Sequence, residues 1–446
     1  MISSADRKNW DDSMAPRHHE DPGPTQIAAT LSAIVLLLIY QGYSLSIVGV
    51  AAPWIAKSFS LGEAQLAELF AWMSVSAFGS LILARLADRV GRRRIILLSL
   101  SLAPLFALCA ALVQKPGQFA LFEILISALQ GGSVSSAVVL LAEELPSDRR
   151  AAGQAFAAFA SAVGGVLAYI VIPFLLQWGY SWRWLLAPCV AGIGLVIPVA
   201  RMLPVNGRWR AVASTNQASS SRFYDVFRHL YRRRASSLLA CAALDTMAGT
   251  AVNGWLYFEA VSVMGLSPQR ASTLVVAGMV VGMLGFPLGA WTSERFGRVP
   301  TVTYLGGAAW IGALAFYFGP PGTISWPFAW LLGAYCWFKL ASGVMTVGAN
   351  SAATELFPAM MRTTMIGWQG ITAAVFSMLA QVLIAALIVP LGGLMRVVGY
   401  FATLGFLSAV VFGLFIDETR GLPLDVASKE AQWAEEQAAL SNNSGD

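Results

Sequence analysis

Ala84-Arg85-Leu86-Ala87-Asp88-Arg89-Val90-Gly91-Arg92-Arg93 is a short polar turn between two long apolar runs. A degenerate copy, Ala290-Trp291-Thr292-Ser293-Glu294-Arg295-Phe296-Gly297-Arg298, sits between two more. The acid, the first Arg, the Gly and the second Arg recur at an offset of 206 residues, from Asp88 to Glu294. A second loop pair follows: Glu143, Pro146 and Arg150 return as Glu355, Pro358 and Arg362, and Arg208 returns as Arg420, all at an offset of 212. Three matched loops at nearly one offset indicate an internal duplication.

The sequence between those loops is too apolar for a soluble core. Of 446 residues, 57% are hydrophobic and 12% charged, and mean hydropathy is +0.64. Soluble domains carry about 25% charged residues. The composition excludes a cytosolic enzyme, a disordered chain and a disulfide-stapled secreted domain. It also argues against an outer-membrane barrel, whose strands alternate apolar and polar. A spanning helix needs roughly 20 apolar residues. Twelve runs qualify, at about 27–52, 61–84, 95–113, 118–142, 151–176, 182–203, 236–262, 268–291, 299–319, 325–353, 364–389 and 394–416. The chain therefore reads as an all-α membrane protein of twelve transmembrane helices in two six-helix pseudo-repeats. The expected organisation is an N-terminal tail (1–26), a first bundle (27–203), a basic linker (204–235), a second bundle (236–416) and a C-terminal tail (417–446).

Charge sets the expected orientation. With both termini cytoplasmic, 23 of the 29 Lys and Arg lie inside and five lie outside, at Lys57, Lys115, Arg183, Arg270 and Arg396. Lys and Arg are retained on the cytoplasmic face, so the opposite topology is rejected. The basic balance thus belongs to the lipid surface and not to nucleic acid. His18, His19 and His229 all lie outside the apolar runs, which leaves no intramembrane histidine metal site. No Gly-x-x-x-x-Gly-Lys-Ser/Thr sequence is present to bind ATP, and no cofactor is expected.

These loops resemble those of the major facilitator superfamily. The acid-Arg-x-Gly-Arg-Arg turn after span 2 is similar to that family's signature, and the Glu-x-x-Pro-x-x-x-Arg loops resemble its sugar-porter and metabolite–proton symporter branches. Residues 254–268 are similar to the outer end of span 7 in organic-acid symporters. The resemblance covers nearly all of 27–421 and implies a secondary transporter working by alternating access, usually as a monomer, with its substrate site between the halves near the midplane. It implies a cytoplasmic gate of Asp88, Arg89, Gly91, Arg92, Glu143 and Arg150, repeated as Glu294, Arg298, Glu355 and Arg362.

Charge inside a span is costly and points to function. Asp245, about a third of the way into span 7, and Lys339, near the middle of span 10, are the deepest. Glu68, Glu123 and Glu259 lie towards outer helix ends, within reach of the interface. Further candidate cavity residues are Gln41, Tyr43 and Ser44 in span 1, Gln130 in span 4, Asn253, Trp255 and Tyr257 in span 7, Asn350 in span 10, and Trp368 and Gln369 in span 11. Aromatic rings with a few convergent polar groups suit a small organic molecule.

The chain departs from the organic-acid symporters in two places. Their span 1 carries Asp-Gly-x-Asp, where this chain reads Gln41-Gly42-Tyr43-Ser44, and an Arg at the start of their span 4 corresponds to Glu123 here. Lys339 is the expected replacement as anion partner and Asp245 as proton carrier, with Glu123 second. The expected function is proton-coupled uptake of a small organic or aromatic acid across the bacterial inner membrane. The alternatives are a proton-driven exporter of a neutral or cationic compound, a sugar-type porter and, more remotely, a non-transporting sensor. An enzyme has no catalytic constellation to support it.

Overall fold

The structure is a computed structural model that describes residues 24–144, 150–203, 224–228, 230–319, 327–422 and 424–428. Without water, backbone N–H and C=O groups must be satisfied within the segment, so apolar runs of this length become helices. Twelve helices among the described residues are long and apolar enough to cross a membrane. In order they are Ala28–Ser58, Glu63–Ala87, Arg92–Leu112, Pro116–Leu141, Phe156–Gln177 and Trp182–Met202, then Arg232–Val263, Pro268–Phe296, Arg298–Phe318, Phe328–Glu355, Thr364–Leu391 and Leu394–Phe415. They are numbered here as spans 1 to 12.

The duplication reaches into the packing. Spans 2 and 4 touch through Gly79 and Gly131, and spans 8 and 10 touch through Gly285 and Gly343. Gly285 lies 206 residues after Gly79, and Gly343 lies 212 after Gly131, the same offsets as in the loops. A Cβ at Gly131 would come within 2.3 Å of Ser80 Oγ, and one at Gly285 within 2.3 Å of the Leu340 carbonyl oxygen. Small residues let membrane helices approach this closely. The two halves meet where span 2 packs on span 11, span 5 on span 8, and span 1 on span 7.

Three irregularities shape the interior. Span 2 is interrupted at Ser74 and Val75, between helices Glu63–Met73 and Ser76–Val90. Span 7 widens into a π-helical turn at Glu259–Val263, and span 9 opens with another at Thr301–Leu305. Such bulges are single turns that re-aim side chains.

Candidate functional site

A cavity of about 700 Å³ lies between the halves. Leu45, Ser46 and Gly49 of span 1 and Ser74 and Ser76 at the break in span 2 form part of the first-half wall, with Tyr169 of span 5. Asp245, Thr246, Thr250 and Asn253 of span 7, with Ser377 and Gln381 of span 11, form the second. Residues 246, 250 and 253 recur at helical spacing, which keeps one polar stripe facing the cavity. Thr250 Oγ1 donates to Ser377 Oγ at 3.3 Å, tying the two helices of that wall.

Asp245 also lines a second cavity of about 290 Å³ within the second half, shared with Asn350 and Gln369. Asp245 Oδ1 accepts no hydrogen bond from a described residue. Lys339 does not pair with it. The Lys339 stem packs against Gly278 and Gly282 of span 8, and Nζ donates to Asn253 Oδ1 at 3.4 Å. Asn253 in turn donates Nδ2 to the Gly249 carbonyl at 3.0 Å. Lys339 thus sits behind Asn253, which lines the cavity, with its apolar stem held between helices.

Aromatic side chains close the cavity on the side away from the basic loops. Trp255 lies 5.0 Å from Phe70 of span 2, ring centroid to ring centroid, and Tyr257 lies 5.3 Å from Tyr169 and 6.1 Å from Trp54. All three contacts cross between halves. Trp255 Nε1 donates to Gln381 Oε1 at 3.0 Å, and the Tyr257 hydroxyl lies 3.2 Å from Ser272 Oγ. Farther out, the Glu63 carboxylate accepts from the backbone N–H of Leu394 at 3.1 Å, so a first-half acid caps the N-terminus of span 12.

Several candidate residues lie elsewhere. Trp255 and Tyr257 are buried in the aromatic seal, and neither lines the cavity. Gln41, Ser44 and Gln130 are buried inside the first bundle, where Gln130 Nε2 donates to Ser44 Oγ at 2.7 Å. Tyr43 donates to the Leu185 carbonyl at 3.0 Å. Trp368 packs on Phe227, ring centroids 5.1 Å apart, beside the linker. Glu123 and Glu259, expected within reach of the interface, are 4% and 0% exposed. Both face inward because their helices are sheathed by neighbouring spans on that side; Glu68 is exposed. Sequence reasoning did not single out Gln381, Ser377, Thr250 or Tyr169, although a lone amide in the apolar run 378–391 was a readable signal.

On the basic-loop side, two of the four second-half cluster residues, Arg298 and Glu355, are joined. Arg298 Nε and Nη2 fork onto Glu355, at 3.2 and 2.9 Å from Oε1. Thr419 Oγ1 donates to the other Glu355 oxygen. Glu418 accepts from the backbone N–H of Arg298 and Val299, both at 2.9 Å, capping span 9. Gly297 makes the turn with φ +109, and Gly91 makes the equivalent one with φ +106. Arg362 Nε donates to the Phe357 carbonyl at 3.0 Å, while Glu294 and Arg89 are exposed. Arg92 is half-buried. The side chains of Asp88, Glu143 and Arg150 lie outside the described residues, so the first-half cluster stays an expectation. After span 12 the chain is tied back to span 7: Arg234 pairs with Asp417 at 3.0 Å and donates to the Ala427 carbonyl at 2.8 Å.

The fold agrees with comparisons to known proteins. The sequence is 24% identical over 352 residues to a gentisate transporter of Corynebacterium glutamicum, covering 76% of this chain and 77% of the relative. It is 26% identical over 363 residues to a probable 4-methylmuconolactone transporter of Cupriavidus pinatubonensis, covering 79% and 81%. The fold is similar to that of a D-xylose–proton symporter, with a TM-score of 0.69 at 19% identity over 89% of this chain and 99% of that one. The protein is thus a multi-pass transporter of small molecules in the bacterial inner membrane and not an enzyme. The pattern of the Major Facilitator Superfamily matches residues 34–380, and the chain belongs to that family.

Proposed function

We propose that the protein is a proton-coupled importer of a small organic acid, with aromatic carboxylates the favoured class, working as a monomer surrounded by lipid. Both termini and the basic loops face the cytoplasm in this reading. The aromatic seal then lies on the outer side, and the structure is an inward-facing state. The halves correspond to 27–203 and 236–416, joined by the linker 204–235.

The observation that carries the reading is the Lys339–Asn253 contact at the wall of a cavity between the halves. An ammonium with no acid beside it is an anion partner, and the hydrogen bond to Asn253 steadies it without neutralising it. The gentisate transporter supports an aromatic acid as the class. Asp245, which lines the same cavity, is assigned as the coupling carboxylate, because coupling needs a group that exchanges a proton as the cavity alternates between wet and dry. The outer seal is assigned as one gate of alternating access; the Arg298–Glu355 cluster, formed in this inward-facing state within the second half, is assigned as a brace between spans 9 and 10.

A second reading follows from Asp245 itself. A carboxylate that receives no cation from the protein suits a cationic substrate, and the direction is then export. Thermal stabilisation of the purified protein separates the two. The acid reading expects stabilisation by benzoate or a dihydroxybenzoate, lost in Lys339→Ala. Stabilisation by amines alone, lost in Asp245→Ala, replaces it with the second.

A further inference from the structure

We propose that Gln381 is the donor that recognises an oxygen acceptor on the substrate, and that Trp255 aims it. The inference rests on the cavity being the substrate site, as proposed above, but not on the substrate being an acid.

Gln381 is 5% exposed and lines the cavity. An indole N–H only donates, so the amide must offer its oxygen to Trp255. That fixes the amide orientation and sends Nε2 the other way. Nε2 points towards Gly254, a cavity residue, where a Cβ would come within 3.8 Å of it. Among the described residues Nε2 donates to no partner. Ser377, one helical turn before Gln381, already receives the Thr250 hydroxyl proton, which leaves its own proton for the cavity. Span 11 therefore presents two donors along one face.

Trp255 is fully buried, held between Phe258 at 5.6 Å and Phe70 of the other half at 5.0 Å. The indole that orients the amide is thus part of the outer seal. When Phe70 withdraws, the stop behind the indole goes with it, and Gln381 can turn. The donor edge is aimed while the seal is shut, so recognition of an acceptor and closure of the outer side favour one another. Trp255 is a positioning residue in this arrangement, and Gln381 is the contact.

Binding to the full-length purified protein tests this with benzoate, a dihydroxybenzoate, benzamide and benzylamine. Gln381→Glu keeps an oxygen for Trp255 but has no N–H to offer, and it weakens acceptor-bearing ligands by about tenfold or more. Trp255→Phe keeps the ring and frees the amide to flip, which weakens the same ligands by about two- to threefold. That smaller loss disappears in a Gln381→Leu background, the non-additivity expected of residues acting through one contact. Benzoate binding unaffected by Gln381→Glu, or additive losses in the double variant, overturns the inference while leaving the acid reading intact. Benzamide binding that depends on Gln381, without benzoate binding, removes the acid reading and leaves the inference. Binding of benzylamine alone, or of none of the four, removes both.

Discussion

Lys339 of span 10 donates to Asn253 of span 7 at 3.4 Å, while Asp245, eight residues before Asn253 on the same helix, pairs with no Lys or Arg among the described residues. Eight residues are about 12 Å of helix rise. The two deepest charges of the second half therefore sit at different levels along span 7, Asp245 lining the cavity and Lys339 reaching it through Asn253. An ion pair between them would silence both. Held apart, they can serve different partners, one a bound anion and the other a proton.

The separation makes the lysine testable alone. Lys339→Met keeps an apolar stem between Gly278 and Gly282 and removes only the ammonium. Loss of a hydrogen bond to a charged group costs about 1.5–3 kcal/mol, or roughly 10- to 150-fold in affinity. Carboxylate ligands should weaken by that factor, read as lost thermal stabilisation, while the unliganded midpoint stays close to wild type. Unchanged carboxylate binding would remove Lys339 as the anion partner.

Asp245→Asn is the complementary experiment. The amide is nearly isosteric but cannot carry a proton between the two sides. Uptake against a concentration gradient driven by a pH gradient should be abolished in proteoliposomes, and counterflow exchange of labelled for unlabelled substrate should persist. Accumulation that still follows the pH gradient would exclude Asp245 as carrier.

How much of this was readable from the sequence depends on the scale of the feature. The twelve spans and the duplication follow from apolar run length and from matched loops, which are local signals. Asp245 was legible because a charge in an apolar run is expensive wherever it points. The cavity walls were harder. Trp255 and Tyr257 are polar-tipped aromatics on span 7, and only packing against Phe70, Trp54 and Tyr169 of the other half shows that they seal rather than line. Gln41 faced the same ambiguity: a polar side chain in a membrane helix can point at a cavity or at a neighbouring helix, and here it is buried among helices. Glu123 and Glu259 were misread because distance along a helix from its end says nothing about what covers that face.

The two signature turns offer a matched pair for backbone strain. Gly91 and Gly297 share nearly the same positive φ, a conformation costly for any residue with a Cβ. A Cβ at Gly91 meets nothing within 4 Å, whereas one at Gly297 would lie 2.6 Å from Glu418 Oε2. Gly91→Ala should cost only the backbone term, about 1–3 kcal/mol. Gly297→Ala should cost more, because it also displaces the carboxylate that caps span 9. Thermal midpoints of the two variants give the order, and equal losses would mean that the Glu418 cap contributes little.

Glu355→Gln tests the cluster beside that turn. Arg298 and Glu355 are both mostly buried, with side chains 19% and 17% exposed. The amide offers only one acceptor oxygen to the guanidinium fork and leaves a half-desolvated cation behind. The expected loss is about 1–3 kcal/mol in stability. Rescue by Glu355→Asp, which keeps the charge but shortens the reach, should be partial. A full-strength Glu355→Gln protein would show that the fork does not brace spans 9 and 10.

The outer seal makes a prediction about conformational bias. Glu63 of the first half supplies an acceptor to the Leu394 N–H at the N-terminus of span 12, a group with no partner inside its own helix. Removing a helix cap costs about 1 kcal/mol, and 1 kcal/mol is roughly a fivefold change in an equilibrium. Because this cap joins the halves only while the outer side is closed, the loss falls on the closed state. Glu63→Ala should therefore raise the outward-open population by about fivefold. The readout is a cysteine placed at the cavity wall, Asn253→Cys, in a background lacking the four native cysteines. Its modification by a membrane-impermeant thiol reagent added from outside should accelerate by about that factor in Glu63→Ala. In Glu63→Gln, whose side-chain oxygen still accepts from Leu394 without the charge, the acceleration should be smaller. An unchanged rate in Glu63→Ala would make the contact a loop anchor, and the closed state would then depend on the aromatic contacts of Trp54, Phe70 and Tyr169 alone.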